Sequence, residues 1–494
     1  MSCSLREIWK IGNIFLLTIF FVLTCGNICV GADYNNIQKN KFSFLKSIRD
    51  KFSFSGIVES RFGRQIKYDD FEDKKYAFPL VRTTLKYDLT PKEQGFVFAK
   101  KKSYIKFSLQ WSLLYSDDSD VQRDEDFGLY EGYLVLNRGP VRLRIGKQII
   151  RWGKTDQISP VDNLNSQDMR LFIIPSYEDR KIPNWMADVE FFKKNVRLEA
   201  VIIPFVEPNE VYFFDRNYSV FKQLKKSSAY YLDKYPMLPA QRTYLKNYVD
   251  SLETNKDIPS KTLENFQGGV RIGFSFENLD VAVSYLNNLD PNPYIKYFPV
   301  SGIRIKEDFS GEKFLTQLPF LKIENKDVEA TYIRRNIYGV EFEGGVGDFG
   351  IRGELAYFDK TVFLTESLTS IHRSNLWYVV GIDYTGEDDL YLNVQLSHSH
   401  IFNYTDPILY FKEDNVSILG ELSKGFFAGD WKLGIKSSYF LSDFSYFINP
   451  YIVCKRIPNL DIELGSFVYG GDRDTLLGQY DPMDEIYIKL KYYF

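Results

Sequence analysis

Residues 485–494 read EIYIKLKYYF, and this stretch decides the fold. Ile486, Ile488, Leu490, Tyr492 and Phe494 fall on one face of an extended chain. Tyr487, Lys489, Lys491 and Tyr493 fall on the other. A transmembrane β-strand of about ten residues carries this pattern, apolar toward lipid and polar toward a lumen. A one-sided soluble sheet alternates in the same way, so the period needs support from elsewhere in the chain. Some comes from the residue that ends it, since an aromatic after an alternating strand is the mark by which barrel-assembly machinery would take up the chain, here through Phe494.

The same period recurs upstream. Ile105, Phe107, Leu109, Trp111 and Leu113 alternate with Lys106, Ser108, Gln110 and Ser112. Leu390, Leu392, Val394 and Leu396 alternate with Tyr391, Asn393, Gln395 and Ser397, and Trp431, Leu433 and Ile435 with Lys432, Gly434 and Lys436. Segments of this kind number about eighteen (16–18) between residues 52 and 494. Even-to-odd links are tight, as at Asn137-Arg138-Gly139 and Pro458-Asn459, apart from Thr90 to Lys102. Odd-to-even links are long: 116–127, 151–184, 205–266, 289–334, 359–374, 402–414 and 469–484, with a short one near Leu441 to Asp443. Alternating short turns and long loops is the signature of a transmembrane antiparallel β-barrel, with periplasmic turns and extracellular loops. Within the largest loop, Ser227 to Lys234 and Ala240 to Leu252 read as helical.

Composition agrees. A soluble chain of 494 residues is expected to divide into domains, yet this one keeps a single pattern throughout. Aromatics make up 17%, from 35 Tyr, 41 Phe and 6 Trp, which suits the girdles at the two membrane interfaces. The net charge of −3 gives no footprint for nucleic acid. At the N-terminus, Arg6 and Lys10 precede the apolar run Ile11 to Leu23, and Val30-Gly31-Ala32 offers a cleavage site. Residues 1–32 therefore read as a signal peptide, 33–51 as a periplasmic segment with a weak helical stripe, and 52–494 as the barrel. Of the four Cys, only Cys454 follows the leader, so neither an internal disulfide nor a cysteine-based metal site is expected.

The stretch 146–170, GKQIIRWGKTDQISPVDNLNSQDMR, holds the candidate site. It leaves a strand and becomes dense in turn formers. On the strand count it is the third outer loop, the position from which a loop folds inward in general porins. Trp152, Gly153, Asp156, Asp162, Asn163, Asp168 and Arg170 are its candidate constriction residues. Carboxylates inside a lumen need partners, and the polar strand faces offer Arg142, Arg144, Arg197, Arg271, Arg352 and Glu354. The acidic run Asp117-Asp118-Ser119-Asp120, with Asp124, Glu125 and Asp126, reads as a solvated second loop without the spacing of a calcium site. His398 and His400 share a strand face at the rim, with no third ligand near them in sequence.

The runs GKQ-x3-WGK-x-D, D-x2-N-x2-D and EDRKIPNWM resemble a large family of Gram-negative outer-membrane β-barrel proteins. NFQGGVRIGFSFENLDVAVSYLNNLDPNP (265–293) and RRNIYGVEFEGGVGDFGIRGELAYFDK (334–360) are similar to its later hairpins. Ser166 stands where that family usually has proline. The resemblance implies an outer-membrane barrel acting as a transport channel, and supplies no catalytic residue and no solute. The expectation is a porin-like channel for a small polar or amphipathic solute, narrowed by the 151–184 loop. Membrane lipid and lipopolysaccharide would surround it, no cofactor would serve it, and it would not be an enzyme, since no nucleophile motif is present. A non-conducting accessory barrel, or an adhesin acting through loops 205–266 and 289–334, are the rival readings.

Overall fold

A strand in lipid must pair on both edges, because no water is present to satisfy its backbone. Eighteen strands meet this condition by closing on themselves. The computed structural model describes residues 51–66, 75–89, 102–116, 123–205, 207–214, 218–221, 236–301, 322–324, 326–405, 408–472 and 475–494. The expected leader and the helical stripe before residue 51 lie outside them.

In chain order the barrel strands are β1 (Phe52–Gln65), β2 (Lys75–Asp88), β3 (Tyr104–Ser116), β4 (Arg123–Arg138), β5 (Val141–Gln148) and β6 (Asn184–Lys193). Then come β7 (Val196–Ile203), β8 (Gln267–Ser275), β9 (Leu279–Leu289), β10 (Arg334–Val346), β11 (Phe349–Leu364) and β12 (Ser370–Thr385). The last are β13 (Tyr391–Ile401), β14 (Asp414–Phe426), β15 (Trp431–Phe440), β16 (Tyr446–Ile457), β17 (Leu460–Gly470) and β18 (Glu485–Tyr493). Each pairs antiparallel with the next. β18 returns to β1, with Ile57 opposite Tyr493 and Gln65 opposite Glu485. Gly56 N donates to the Phe494 carbonyl at 2.8 Å and Phe494 N to the Gly56 carbonyl at 3.1 Å, so the last residue completes the seam.

The wall inverts the burial of a soluble protein. On β13, Leu392, Val394 and Leu396 are 41%, 40% and 43% exposed, while Asn393, Gln395 and Ser397 between them are buried. Val283 on β9, Val340 on β10, Val380 on β12 and Ile418 on β14 repeat the outward apolar face. Near the long-loop end, Tyr285, Tyr338, Tyr357 and Phe402 follow one another at ring separations of 5.3, 6.3 and 6.2 Å. Phe52–Tyr87, Phe54–Phe494 and Phe349–Tyr384 mark the short-turn end. An apolar band between two aromatic belts is a transmembrane barrel surface.

Two loop boundaries differ from the sequence reading. β4 begins at Arg123, so Asp124, Glu125 and Asp126 belong to a strand rather than to the second loop; Asp117 to Asp120 lie outside the described residues. The expected loop 359–374 shrinks to five residues, because β11 and β12 stay paired to Leu364 and Ser370. A bulge after Phe358 carries the hairpin past the polar Asp359-Lys360 pair, which breaks the alternation without ending the strand. Outside the barrel, α1 (Pro239–Asp250) falls on the expected helical stretch, while Ser227–Lys234 lies outside the described residues. Tyr248 of α1 packs with Phe213, Phe221 and Phe298 into a core above the rim.

Candidate functional site

The lumen wall from β5 to β12 is a ladder of paired charges. Arg142 donates to Glu190 at 3.3 Å and Arg144 to Asp188 at 3.0 Å. Arg197 reaches Glu190 at 3.1 Å and Glu199 at 2.9 Å. Arg271 bridges Glu199, at 3.4 Å, and Glu341, crossing β9 where Ser284 and Gly339 leave room. Arg352 closes on Asp383 at 2.5 Å. Several of these groups are nearly inaccessible, and buried charges persist only when paired and hydrogen-bonded.

Against this ladder lies the segment 149–183. Trp152 Nε1 donates to Glu199 at 3.0 Å and Gly153 N to Glu341 at 2.7 Å. Glu354 then accepts from five donors: Lys154 N (2.6 Å), Thr155 N and Thr155 Oγ1 (both 2.7 Å), Ser159 Oγ (2.8 Å) and Val161 N (3.0 Å). The ring of Trp152 is 1% exposed and packs with Ile150, Val161, Leu164, Met186 and Phe358. Gly269 permits this, since a Cβ there would come within 2.9 Å of the indole. Lys154 Nζ pairs with Glu343 at 2.8 Å, and Arg352 holds Asp156 at 3.0 Å.

The far end of the same segment meets the opposite wall. Leu171 and Ile174 pack with Tyr76, Leu114, Phe467 and Tyr487 of β2, β3, β17 and β18, and Arg61 Nη1 of β1 donates to the Ile174 carbonyl at 3.2 Å. In a ring of eighteen, β10 and β1 are nine strands apart. The segment therefore crosses the full diameter. Beside it, toward β1–β4, a cavity of about 440 Å³ remains, bordered by Arg61, Arg82, Leu114, Tyr130, Ile174 and Arg180.

The candidate residues fall into groups. Trp152, Gly153 and Asp156 touch the wall directly, and Arg352 and Glu354 are wall residues that touch the loop. Arg271 reaches the loop only through Glu341 and Glu199. Arg142, Arg144 and Arg197 do not meet it, because Glu190 and Asp188 on the neighbouring β6, and Glu199 on the same strand as Arg197, take them first. Asp162 and Asp168 are not wall contacts either. Asp162 is buried within the loop on Lys181 Nζ at 2.8 Å, and Asp168 pairs with Arg170 at 2.7 Å. Arg170 extends to Asp124 and Glu210, both at 3.0 Å. Asn163 Oδ1 accepts from Arg335 at 3.2 Å, and that arginine is buried on Asp290 at 2.9 Å. The anchoring chemistry has two parts: Arg352 takes the loop carboxylate of Asp156, and the wall carboxylates Glu199, Glu341 and Glu354 accept loop N–H groups besides. Glu199 and Glu341 went unnoticed in the sequence; their signal was an acid at an inward position of an alternating strand. His398 and His400 lie on the outer face, where both hydrogen-bond Asp414, at 2.8 and 2.9 Å.

Burial sets the direction for three charged groups on or against the loop. It raises the pKa of Asp156 despite Arg352 and Arg151, and that of Glu210 despite Arg170. It lowers the pKa of Arg180.

Fold and lumen together define a large transmembrane β-barrel whose interior is divided by one of its own loops. The chain belongs to the family described as "Protein of unknown function (DUF1302)", whose pattern matches residues 70–429. Among solved structures, Acinetobacter baumannii OccAB4 is similar at 9% identity, covering 90% of this chain and 98% of that one, with a TM-score of 0.47. Pseudomonas aeruginosa OccD3 (OpdP) follows at 8% identity, 90% and 91% coverage and a TM-score of 0.44. Salmonella typhi OmpF, in complex with daunomycin, stands at 8%, 90% and 97%, and 0.43. No curated protein matches the sequence.

Proposed function

We propose that this chain is a porin-like channel of the Gram-negative outer membrane, passing small polar or amphipathic solutes through a lumen narrowed by segment 149–183. The observation that carries this reading is the docking of that segment on both walls, with a charged cavity of about 440 Å³ left beside it. A barrel of 16–18 strands is wide enough for an aqueous channel, and an internal loop then sets how much of that width is used. The outer band of apolar and aromatic residues supports a membrane location, and the polar, ion-paired interior supports passage of water and solute.

Planar-bilayer recording tests it. The purified barrel is expected to conduct in KCl, and Glu354→Gln to raise single-channel conductance and its noise. The variant swaps an acceptor oxygen for an amide that faces Val161 N and Ser159 Oγ, leaving loop donors unmatched at a cost of about 1–3 kcal/mol. A folded, heat-modifiable barrel that passes no current would favour an accessory role instead.

A further inference from the structure

The cavity beside the loop has two kinds of wall. Phe78, Leu80, Leu114, Leu171, Ile174 and Ile182 give it apolar surface. Arg61, Arg82 and Arg180 give it positive charge, and among the described residues none of the three has a carboxylate in ion-pair range. Arg82 spends Nε and Nη2 on Gln110 Oε1, at 2.9 and 2.7 Å, and lies 3.6 Å over the Tyr130 ring. Arg61 gives Nη1 to the Ile174 carbonyl and sits 4.2 Å over Tyr487.

Arg180 differs. It is 8% exposed, and only Nη1 is engaged, with the Phe172 carbonyl at 3.4 Å and Met169 Sδ at 3.6 Å. Its Nε is enclosed and has no partner. The Nε–Nη2 edge is the fork that takes a carboxylate in two parallel hydrogen bonds. Arg142, Arg144, Arg197, Arg271 and Arg352 of the β5–β12 wall are each paired with a carboxylate, and Arg180, as deeply buried as most of them, is not.

The acids around the cavity are largely engaged. Asp168 and Glu210 hold Arg170, Glu59 holds Lys491 at 3.4 Å, and Asp179 accepts from Ser176 at 2.7 Å. Asp126 and Glu207 remain against three guanidinium groups.

We propose that this cavity is a subsite for a small amphipathic organic anion, one carboxylate on a compact apolar body. The carboxylate sits on Nη2 of Arg180, and a small rotation of the guanidinium brings the enclosed Nε into the fork, while the body lies against Leu114, Leu171 and Ile174. The cavity is of the size of small-molecule sites, with polar and apolar lining in nearly equal parts, which suits a solute that is itself amphipathic. As a statement about cargo, this rests on the channel reading; as a statement about binding, it does not need an open pore.

Calorimetric titration of the purified barrel in detergent tests it with three matched probes: benzoate, benzyl alcohol and benzylammonium. Benzoate is expected to bind at least about tenfold more tightly than either of the others, the value of one charge-assisted forked contact. Arg180→Gln should lower the benzoate-to-benzyl alcohol ratio about tenfold, and Arg180→Lys, which keeps the charge and loses the fork, by less. Arg82→Gln, on the barrel wall, should also weaken benzoate and serves if the loop variant fails to fold. Equal binding of benzoate and benzyl alcohol, no benzoate binding by folded barrel, or unchanged benzoate affinity in both charge-removing variants would overturn the subsite. KCl conductance of the same preparation separates the two proposals. Current without benzoate binding removes the subsite and keeps the channel; binding without current does the opposite.

Discussion

Glu354 sits in the middle of a β-strand with its carboxylate turned toward the loop, and its position makes chemical sense only from the loop's side. Segment 154–161 turns too sharply for its own N–H groups to find carbonyl partners, and a carboxylate supplies up to four acceptor sites in one place. What allows the chain to reach it is Gly153. Its φ of +99° is left-handed territory, and a Cβ there would lie 2.3 Å from Ser159 Oγ and 2.7 Å from Glu354 Oε1. Gly153→Ala would carry backbone strain of order 1–3 kcal/mol and a clash with the latch itself. We expect limited proteolysis between residues 150 and 184 to become several-fold faster while the barrel keeps its heat-modifiable mobility. Cleavage at the wild-type rate would show that the segment is held by its other contacts. Trp152 anchors the same bend from the opposite direction, its ring in the apolar cluster and its Nε1 on Glu199.

At the scale of the element, most of the fold was legible. Alternation identifies a strand wherever lipid lies on one side and water on the other, because each residue then has only one acceptable partner phase. All eighteen barrel strands fall on alternating segments, and tight links against long ones give the order of turns and loops. The edges blurred where the physics changes. Asp124 to Asp126 and Asp359-Lys360 stand beyond the apolar band, where a strand continues in water and need not alternate. The loop's partners were harder still. Strand phase puts Arg142, Arg144 and Arg197 on the polar face of their strands, but which acid each takes depends on strand register, and Val189↔Ala200 or Glu190↔Glu199 is not written in either strand alone. One element does carry its own register. β18 ends with Phe494 hydrogen-bonded to Gly56 and its ring against Phe54, at 5.6 Å. Removing Phe494 takes away the last rung of the closing seam and about 1 kcal/mol of aromatic packing against Phe54. The fraction of chains reaching the heat-modifiable form should fall several-fold, and Phe494→Tyr should restore most of it. An unchanged folded fraction on deletion would move the seam's specificity to the rungs above.

Across the whole molecule, the loop is a strut between two walls, and a carboxylate disfavoured by burial stands at each end of it: Asp156 on the loop itself and Glu210 on the segment after β7, paired with the loop's Arg170. Asp156 faces Arg352 and Arg151, with Asp383 and Glu343 adding like charge. Glu210 faces Arg170, with Asp168, Asp126 and Asp124 around it. Both have pKa values above their ordinary 3.8 and 4.5, burial being the largest cause. A carboxylate that protonates more readily when docked than when free takes up protons on docking. Docking is therefore strengthened as pH falls through the raised value, and the effect is complete below the ordinary one. Asp179 runs the other way. Burial opposes its charge, but the Ser176 hydrogen bond and then Lys491 and Lys489 outweigh it and depress its pKa below 3.8. Its contribution is lost only as pH falls below that ordinary value, so the two windows do not overlap. Above pH 4.5 the first effect acts alone among these three groups. Single-channel conductance should fall over that range, and proteolysis of segment 150–184 should slow with it. Asp156→Asn, which fixes the neutral form, should already show part of the low-pH behaviour at pH 7 and flatten the profile. A conductance that rises on acidification, or a profile untouched by Asp156→Asn, would mean that the Asp156–Arg352 pair holds the loop more strongly than burial opposes it.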